Sequence, residues 1–213
     1  MPYIDPIVRL SSGTINKVND ALIGGGGSNI GPQIGLAPQQ LGAGFWLDDN
    51  NVLFDSTMGS VFGGHFRYVR LASAALAVVV GQIVFWDTLA NAADNLFQVT
   101  TSESGSTDAA MLAAGIVLNS GWTPGNYSVI QDFGPIPVKF RATLTAAGAA
   151  GSRVFAAAAG GADLGFADVI DSGNPTLFSD VSKMMGRFLG VAQETPTNGG
   201  VKRVYVSIHN ARG

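Results

Sequence analysis

The C-terminal part of the sequence is a series of short apolar or alternating runs separated by turn residues. Gly, Pro, Asn and Asp stand between the runs, and no run is long enough for a core helix. Strands of an antiparallel sheet that closes or folds on itself leave this spacing in a sequence. We therefore predict a mainly β fold, an antiparallel β-barrel or sandwich. The runs are residues 135–140, 151–156, 165–170, 186–192 and 200–208.

Strand signals begin upstream, near Val52. The strongest is residues 77–86, an apolar run in which Gly81 predicts a β-bulge. Residues 109–114 predict a helical turn, and residues 143–150 predict an Ala-rich turn or a short helix, so the expected helix content is low. Further strands are predicted at residues 61–62, 66–71, 97–101, 115–118 and 127–131.

Residues 1–60 differ from the rest of the chain. A glycine-rich stretch at residues 24–31 has no helical or strand period, which predicts an extended arm, and residues 61–213 then form the β domain. Large apolar side chains recur along this arm, although a solvated linker would not need them. We expect the arm to become ordered when it binds a partner. The alternative interpretation is a disordered leader with no role. The candidate contact residues are Ile30, Ile34, Leu36, Leu41, Phe45 and Trp46.

The composition is apolar and poor in charge. Hydrophobic residues make up 46% of the chain and charged residues 13%, against roughly 25% charged in a typical soluble domain. A membrane protein would explain this, but the best apolar stretch, residues 71–86, is interrupted by Ser73, Gly81 and Gln82, and a helical span needs about 20 residues. We therefore expect no membrane association, and a surface buried against other chains in a homo-oligomer.

Charge is unevenly distributed along the chain. No Lys or Arg lies between Arg70 and Lys139, a stretch with five acidic residues, whereas the sequence from Lys139 onward holds eight basic and five acidic residues. Chance in a charge-poor protein is one explanation. The other is that the acidic middle and the basic end meet across a subunit interface. The acidic stretch between Arg70 and Lys139 argues against direct nucleic-acid binding, which needs a surface cluster of Lys and Arg.

The residues that carry chemistry are few. Without Cys, the chain has no disulfide and no Cys-ligated metal, and His65 and His209 are too few for a His-rich metal site. The glycine-rich stretch matches neither the dinucleotide fingerprint nor the NTPase loop. Asp171-Ser-Gly follows two apolar residues, as in aspartic proteases, but that chemistry needs two such carboxylates, and an Asp-initiated turn explains it. We predict no catalytic residue, no cofactor and no metal, and hence no enzyme.

Residues 186–194 read Gly-Arg-Phe-Leu-Gly-Val-Ala-Gln-Glu, residues 198–200 Asn-Gly-Gly, and residues 201–208 form the final run. This pattern resembles that of the capsid decoration (cement) proteins of tailed bacteriophages. Their β-barrel ends in Gly-x-x-Leu/Ile-Gly-x-Ala-x-Glu, a Gly-containing turn and a Val-x-Val strand. Upstream, residues 78–84 and 151–155 look like two further strands of that family, so the resemblance covers roughly residues 75–208.

The resemblance implies a trimer at the local threefold or quasi-threefold positions of a phage head, where it locks neighbouring capsomers. Its partners are then the major capsid protein and other copies of itself, and the six arm residues are contacts to either. It implies location on the capsid surface of the virion, after assembly in the host cytoplasm; residues 1–6 show no secretory signal. Alternatives are a head-fibre base, a tail protein, or a carbohydrate-binding β module in which Trp46, Trp86 and Trp122 stack on sugars. Trp86, however, lies in an apolar strand, which favours a position in the core.

Overall fold

A computed structural model of the protein describes its β framework. The described residues are 44–47, 53–55, 59–61, 63–72, 75, 78–87, 97–101, 112–118, 122–125, 127–157, 165–169 and 186–208. Their regular elements are twelve β-strands, and helical backbone is confined to a short turn at residues 186–187. The prediction of a mainly β fold is therefore confirmed. The strands are β1 (Gly44–Leu47), β2 (Leu53–Asp55), β3 (Gly59–Val61), β4 (Gly64–Leu71), β5 (Ile83–Trp86), β6 (Gln98–Thr100), β7 (Ala113–Val117), β8 (Tyr127–Lys139), β9 (Arg153–Ala156), β10 (Ala167–Val169), β11 (Phe188–Ala192) and β12 (Val201–Ser207).

Ten of these strands form one sheet, in the order β1-β4-β6-β5-β7-β8-β12-β11-β9-β10, and β2 pairs only with β3. Their pairings are antiparallel except for β4 with β6. Strand β4 also pairs with β8, so the pairings β4–β6–β5–β7–β8–β4 return to their starting strand. Beyond the other end of β8, Phe140 forms a parallel bridge with Ala167 of β10. Strand β8 therefore joins the two halves of the sheet.

The thirteen-residue strand β8 differs from the sequence prediction, which has two strands at residues 127–131 and 135–140. One continuous strand passes through the predicted break and pairs first with β4 and then with β12. Gly134 makes this passage possible, because its φ of +105° suits glycine and a Cβ there would lie 2.7 Å from the Gly63 carbonyl oxygen. The sequence signal for a turn therefore marks a bend within one strand.

The predicted strand over residues 77–86 is too long. Only Ile83–Trp86 is extended, while residues 80–81 form a turn and Gly81 has a φ of +77°. The Gln82 side chain stabilises that turn, because its Oε1 accepts a hydrogen bond of 3.0 Å from the Val79 N–H. The apolar run still contributes to the core, since Val78 and Val80 are buried in the turn. Gly81 therefore marks a turn rather than a bulge.

The described residues of the segments 109–114 and 143–150 contain no helix. Ala113 and Ala114, the end of the predicted turn at 109–114, begin strand β7. Residues 143–150 form bends and turns without helix, which agrees with the turn alternative for that segment. Packing explains the first outcome, because Ala113 and Ala114 are buried within the sheet, and tertiary contacts override weak helix propensity.

Two hydrophobic clusters stabilise the fold. One lies among β4, β5, β6 and β7 and includes Trp86 and Trp122; the other includes Phe140 and the inward side chains of β9 to β12. The alternation predicted for the last strand is confirmed, because its inward residues are buried while Tyr205 is exposed. The buried inward set comprises Val204, Val206 and Ile208.

Strand β1 belongs to the segment that the sequence predicts as an arm. Its residues Gly44–Leu47 pair with Gly64–Arg67 of β4, so the C-terminal part of that segment contributes a strand to the sheet. Hairpin β2–β3 also lies mainly before residue 60. The domain division at residue 60 remains a prediction, because residues 1–43 lie outside the described part of the chain.

Candidate contact surface

Three aromatic rings form a row across the sheet, which we call the aromatic row: Trp46 on β1, Phe133 on β8 and Tyr205 on β12. The ring centroids of Trp46 and Phe133 lie 5.3 Å apart, and those of Phe133 and Tyr205 lie 5.4 Å apart. Both contacts are edge-to-face, the arrangement that aligns the positive edge of one ring with the negative face of the next. The His65 ring also contacts Trp46, with centroids 5.0 Å apart. The aromatic row is therefore mutually packed.

The register of the strands brings these rings together. Trp46 pairs with His65, and His65 pairs with Phe133. Phe133 pairs in turn with Ser207, which lies two residues from Tyr205 on the same face of β12. Diagonal neighbours on one face are within reach of aromatic side chains. The aromatic row is thus a product of register, and its members are far apart in sequence.

The two ends of the aromatic row are exposed to solvent, and Phe133 between them is half-buried. Trp46 is 64% exposed and Tyr205 is 40% exposed. Val191 of β11 pairs with Tyr205 and extends the apolar surface beyond the row, and Val201 is exposed near the start of β12. Exposed apolar patches of this kind mark interaction sites. We therefore treat this surface as the candidate contact site.

We define the outer face as the side of β8, β12, β11 and β9 that points away from the core. Arg153 pairs with Val191, Arg203 pairs with Pro137, and Lys139 pairs with Val201. The Lys139 ammonium also lies 4.9 Å from the centroid of the Phe166 ring. Glu194 adjoins this face, because its Oε2 accepts a hydrogen bond of 3.0 Å from the Arg203 N–H, so charges of both signs border the apolar surface. The outer face comprises Phe133, Pro135, Pro137, Lys139, Arg153, Val191, Val201, Arg203, Tyr205 and Ser207.

A charged cluster adjoins the Trp46 end of the aromatic row. The Asp132 carboxylate lies 2.5 Å from His65 Nδ1 and accepts a hydrogen bond of 3.3 Å from Arg67 Nε. Asp132 is buried, and a buried carboxylate is stable only with such partners. A His–Asp pair can serve as a catalytic base when a nucleophile faces the other ring nitrogen. Here His65 Nε2 lies against Gly44, which has no side chain, so the cluster lacks a nucleophile at that position.

A second buried carboxylate fixes the loop that follows β8. Asp168 accepts hydrogen bonds from Arg141 Nη1 at 2.9 Å and from the Thr145 N–H and hydroxyl at 2.9 and 2.5 Å. The same loop is held from the other side, where the Leu144 N–H donates to Asn198 Oδ1 at 3.0 Å. These contacts satisfy the buried charge and explain its presence structurally. Among the described residues no group of three or more His, Cys, Asp or Glu could hold a metal ion.

The predicted contact residues are only partly described. Trp46 is in the aromatic row, and Phe45 lies in β1, where its backbone pairs with Phe66. The other four candidates, together with Asp171 and His209, lie outside the described residues. Sequence reasoning missed Phe133 and Tyr205. The alternation of β12 marks Tyr205 as outward-facing, but Phe133 precedes Gly134 and reads as a turn residue. The four undescribed candidates are Ile30, Ile34, Leu36 and Leu41.

The three tryptophans do not share a surface. Trp86 and Trp122 are buried in the core, and Trp46 alone is exposed. The core position predicted for Trp86 is therefore confirmed, Trp122 is equally inaccessible to a sugar, and Trp46 is the one tryptophan on the surface. No family model and no curated protein matches the sequence. In the described part of the chain, no helix has the length and apolar character needed to cross a membrane.

Proposed function

We propose that this protein is a structural virion protein of a tailed bacteriophage: a decoration, or cement, protein. It binds the outer surface of the capsid as a trimer and stabilises contacts between capsomers. Its partners are the major capsid protein and the other copies in the trimer. It acts without catalysis or a cofactor, and it reaches the capsid surface after synthesis in the host cytoplasm.

The observation that carries this proposal is the C-terminal hairpin. The residues that resemble the decoration-protein pattern form β11, a turn and β12. Burial, a close backbone contact or a hydrogen bond restricts which residue type fits at each of the positions described next. Leu189 and Ala192 are buried. Gly190 lies against the Tyr205 backbone, where no side chain fits. Glu194 closes the hairpin, because its Oε2 accepts a hydrogen bond of 3.0 Å from the Arg203 N–H. The pattern therefore encodes a definite hairpin shape, which supports kinship in fold.

The strand pairings also support the β-barrel that this family implies. Each strand of the circuit β4–β6–β5–β7–β8–β4 pairs with two other strands of that circuit. The bridge from Phe140 to Ala167 brings the other half of the sheet back towards β8. We infer two small barrels that share β8. Closure protects strand edges from unwanted pairing, an advantage for a protein that accumulates before it binds its particle.

The surface properties of the chain suit a protein that works through contacts. Charged residues make up only 13% of the sequence, and the described surface presents the aromatic row. Strand β1, which carries Trp46 of this row, begins at Gly44. We propose the arm residues of the sequence analysis, with Phe45 and Trp46, as contacts to the capsid or to a neighbouring subunit.

Particle binding tests this proposal. Purified protein is mixed with heads, lacking this protein, from the phage whose genome encodes the chain, and the mixture is separated on a density gradient. We expect cosedimentation, and cryo-electron microscopy should place the density at threefold positions of the lattice. Binding only to tails or head fibres would favour another virion component. Absence of virion binding together with specific glycan binding through Trp46 would favour the carbohydrate-binding alternative.

A further inference from the structure

We infer that strand β1 is an open sheet edge that pairs with β1 of a second copy of this chain, antiparallel and about a twofold axis. We call this pairing the edge contact. The sheets of the two copies then continue into one another, and their aromatic rows meet. The inference goes beyond the proposed trimer, because a twofold contact joins one trimer to the next. It concerns the protein alone and does not depend on capsid binding.

Strand β1 stands at one end of the ten-stranded sheet, and in the described part of the chain it pairs only with β4. The other end of the sheet is covered. There Phe140 forms a bridge with Ala167 of β10, and the Arg141 N–H donates a hydrogen bond of 3.0 Å to the Ala167 carbonyl. Every strand between these two ends has two neighbours. The N–H and C=O groups of β1 that point away from β4 therefore form a template for a strand of another chain.

The sequence of β1 lacks the features that prevent pairing at a sheet edge. Natural edge strands are protected by Lys, Pro, β-bulges or inward-pointing charges. Strand β1 reads Gly-Phe-Trp-Leu, with neither a charge nor a proline, and its four pairs with β4 follow one another without a bulge. Its short length limits the edge contact to a few hydrogen bonds. The contact therefore gains strength when several copies are held close together, as they are within an assembly.

A second copy of the chain fits this edge because β1 is complementary to itself. The other strands of the ten-stranded sheet are paired or bridged on both sides, so β1 is the strand of this sheet that a second copy can offer. Two uncharged strands can lie opposite each other without the like-charge repulsion that destabilises a sheet. A twofold axis makes such a contact isologous, with the same residues on both sides.

Trp46 sets the register of the edge contact. It is 64% exposed, the largest fraction among the exposed large apolar residues of the described chain. Because side chains alternate along a strand, the twofold axis places Trp46 of both copies on the same face of the joined sheet. When the two rings stand opposite each other they cover one another, and cross-strand aromatic pairs stabilise a sheet. This register pairs Phe45 with Leu47 of the second copy and joins the two aromatic rows into one.

Disulfide trapping is the first test, since the natural chain contains no Cys. Directly opposite residues of antiparallel strands have Cα atoms about 4.5–5.5 Å apart, a separation that a disulfide spans. Full-length Trp46→Cys protein is oxidised at micromolar concentration and analysed on a non-reducing denaturing gel, where we expect a band of two chains that a reductant removes. Tyr205→Cys is the matched control and should stay a single chain. Tyr205 is exposed in the same aromatic row, but both edges of β12 are already paired.

Protection of the edge is the second test. Sedimentation velocity of the natural full-length protein should show that the basic oligomer doubles its mass as the concentration rises. Trp46→Lys places two lysines opposite each other in the edge contact, so this doubling should need about tenfold higher concentration. Tyr205→Lys adds the same charge to the same aromatic row away from the edge, and should associate like the natural chain. Circular dichroism and the melting temperature confirm that each variant is folded.

Three results would overturn the inference: no disulfide at position 46, equal trapping at positions 46 and 205, or a Trp46→Lys protein that associates like the natural chain. Equal effects at the two positions would mean that copies meet through the outer face instead of the edge of β1. Cosedimentation with phage heads separates the two proposals. Trapping at position 46 without binding to any virion component would support the inference and refute the proposed function. Head binding by a protein that gives no disulfide would refute the inference while the proposed function stands.

Discussion

Gly190 of β11 lies so close to the carbonyl oxygen of Tyr205 on β12 that a Cβ at position 190 would overlap it. The backbone of Gly190 also has a φ of +154°, which L side chains rarely adopt. Tyr205 belongs to the aromatic row, so this close approach lies in the backbone that carries one of its rings. A glycine within the recognisable C-terminal pattern therefore shapes the candidate contact surface directly.

Replacing this glycine should destabilise the protein. Gly190→Ala forces the two strands apart, which we expect to cost about 1–3 kcal/mol of unfolding free energy beyond any backbone strain. Gly151→Ala is the matched control, because Gly151 has a φ of +92° but no atom within 4 Å of its Cβ position. Urea denaturation of both variants measures the difference. Equal losses for the two would contradict the close packing of β11 on β12.

The buried side of β12 allows a second stability test. Val206→Asp places a carboxylate without a partner in the core, where Val206 has no exposed surface. The cost should be several kcal/mol, comparable with the whole stability of a domain. Val201→Asp on the same strand is the control, since Val201 is 49% exposed. We expect the first variant to be insoluble or unfolded and the second to be folded; a soluble, assembling Val206→Asp protein would mean that the inward face is misassigned.

The charged cluster near Trp46 should contribute to stability. Asp132→Ala leaves His65 and Arg67 without their shared carboxylate, and removing one member of a buried ion pair typically costs about 3–5 kcal/mol. Asp87→Ala, on a half-buried carboxylate that accepts from Gln98, should cost about 1 kcal/mol. Thermal or chemical unfolding compares them. If Asp132→Ala lowers the unfolding free energy no more than Asp87→Ala does, water satisfies His65 and Arg67 once the carboxylate is removed.

The sequence predicted the existence of the strands better than their limits. Hydrophobic alternation identified the inward side of β12, because one face of this strand packs against the core and the other faces water. The same alternation could not show that Gly134 bends one strand instead of separating two, since a glycine with positive φ serves either purpose. Gly81 was misread for a similar reason, because the hydrogen bond from Val79 to the Gln82 side chain decides in favour of a turn.

The candidate site was far less predictable. Trp46 could be singled out as a large apolar residue in a glycine-rich segment. Phe133 and Tyr205 reach it only through the pairing of β1 with β4, β4 with β8 and β8 with β12. Those strand registers depend on contacts between distant parts of the chain, and a local sequence pattern does not predict such contacts. The buried Asp132 was hidden likewise, because its partners precede it by more than sixty residues.

Fluorescence offers a direct test of the exposure of Trp46. Trp86 and Trp122 are buried while Trp46 is exposed, so a water-soluble quencher should reduce the emission of Trp46 alone. The Trp46→Phe variant should therefore emit at shorter wavelength and resist quenching, whereas Trp86→Phe should retain the quenchable component. If Trp46→Phe leaves the quenchable fraction unchanged, Trp46 is shielded in solution.

The segment before β1 should contribute to assembly more than to the fold. Deleting residues 1–43 preserves β1, which begins at Gly44 and pairs with β4. We expect the truncated protein to keep its β-sheet circular dichroism and to melt within a few degrees of the full chain. Head binding in the gradient assay should weaken, because each large apolar side chain that the segment buries on a partner contributes about 1.5–3 kcal/mol before the cost of ordering. A second variant keeps the full length and replaces Ile30, Ile34, Leu36 and Leu41 by Ser, which separates the apolar contacts from the length of the segment. If this variant binds as weakly as the truncation, the four side chains are the anchors. Undiminished binding by both variants would reduce residues 1–43 to a leader, and unfolding of the truncated protein would place part of that segment in the core.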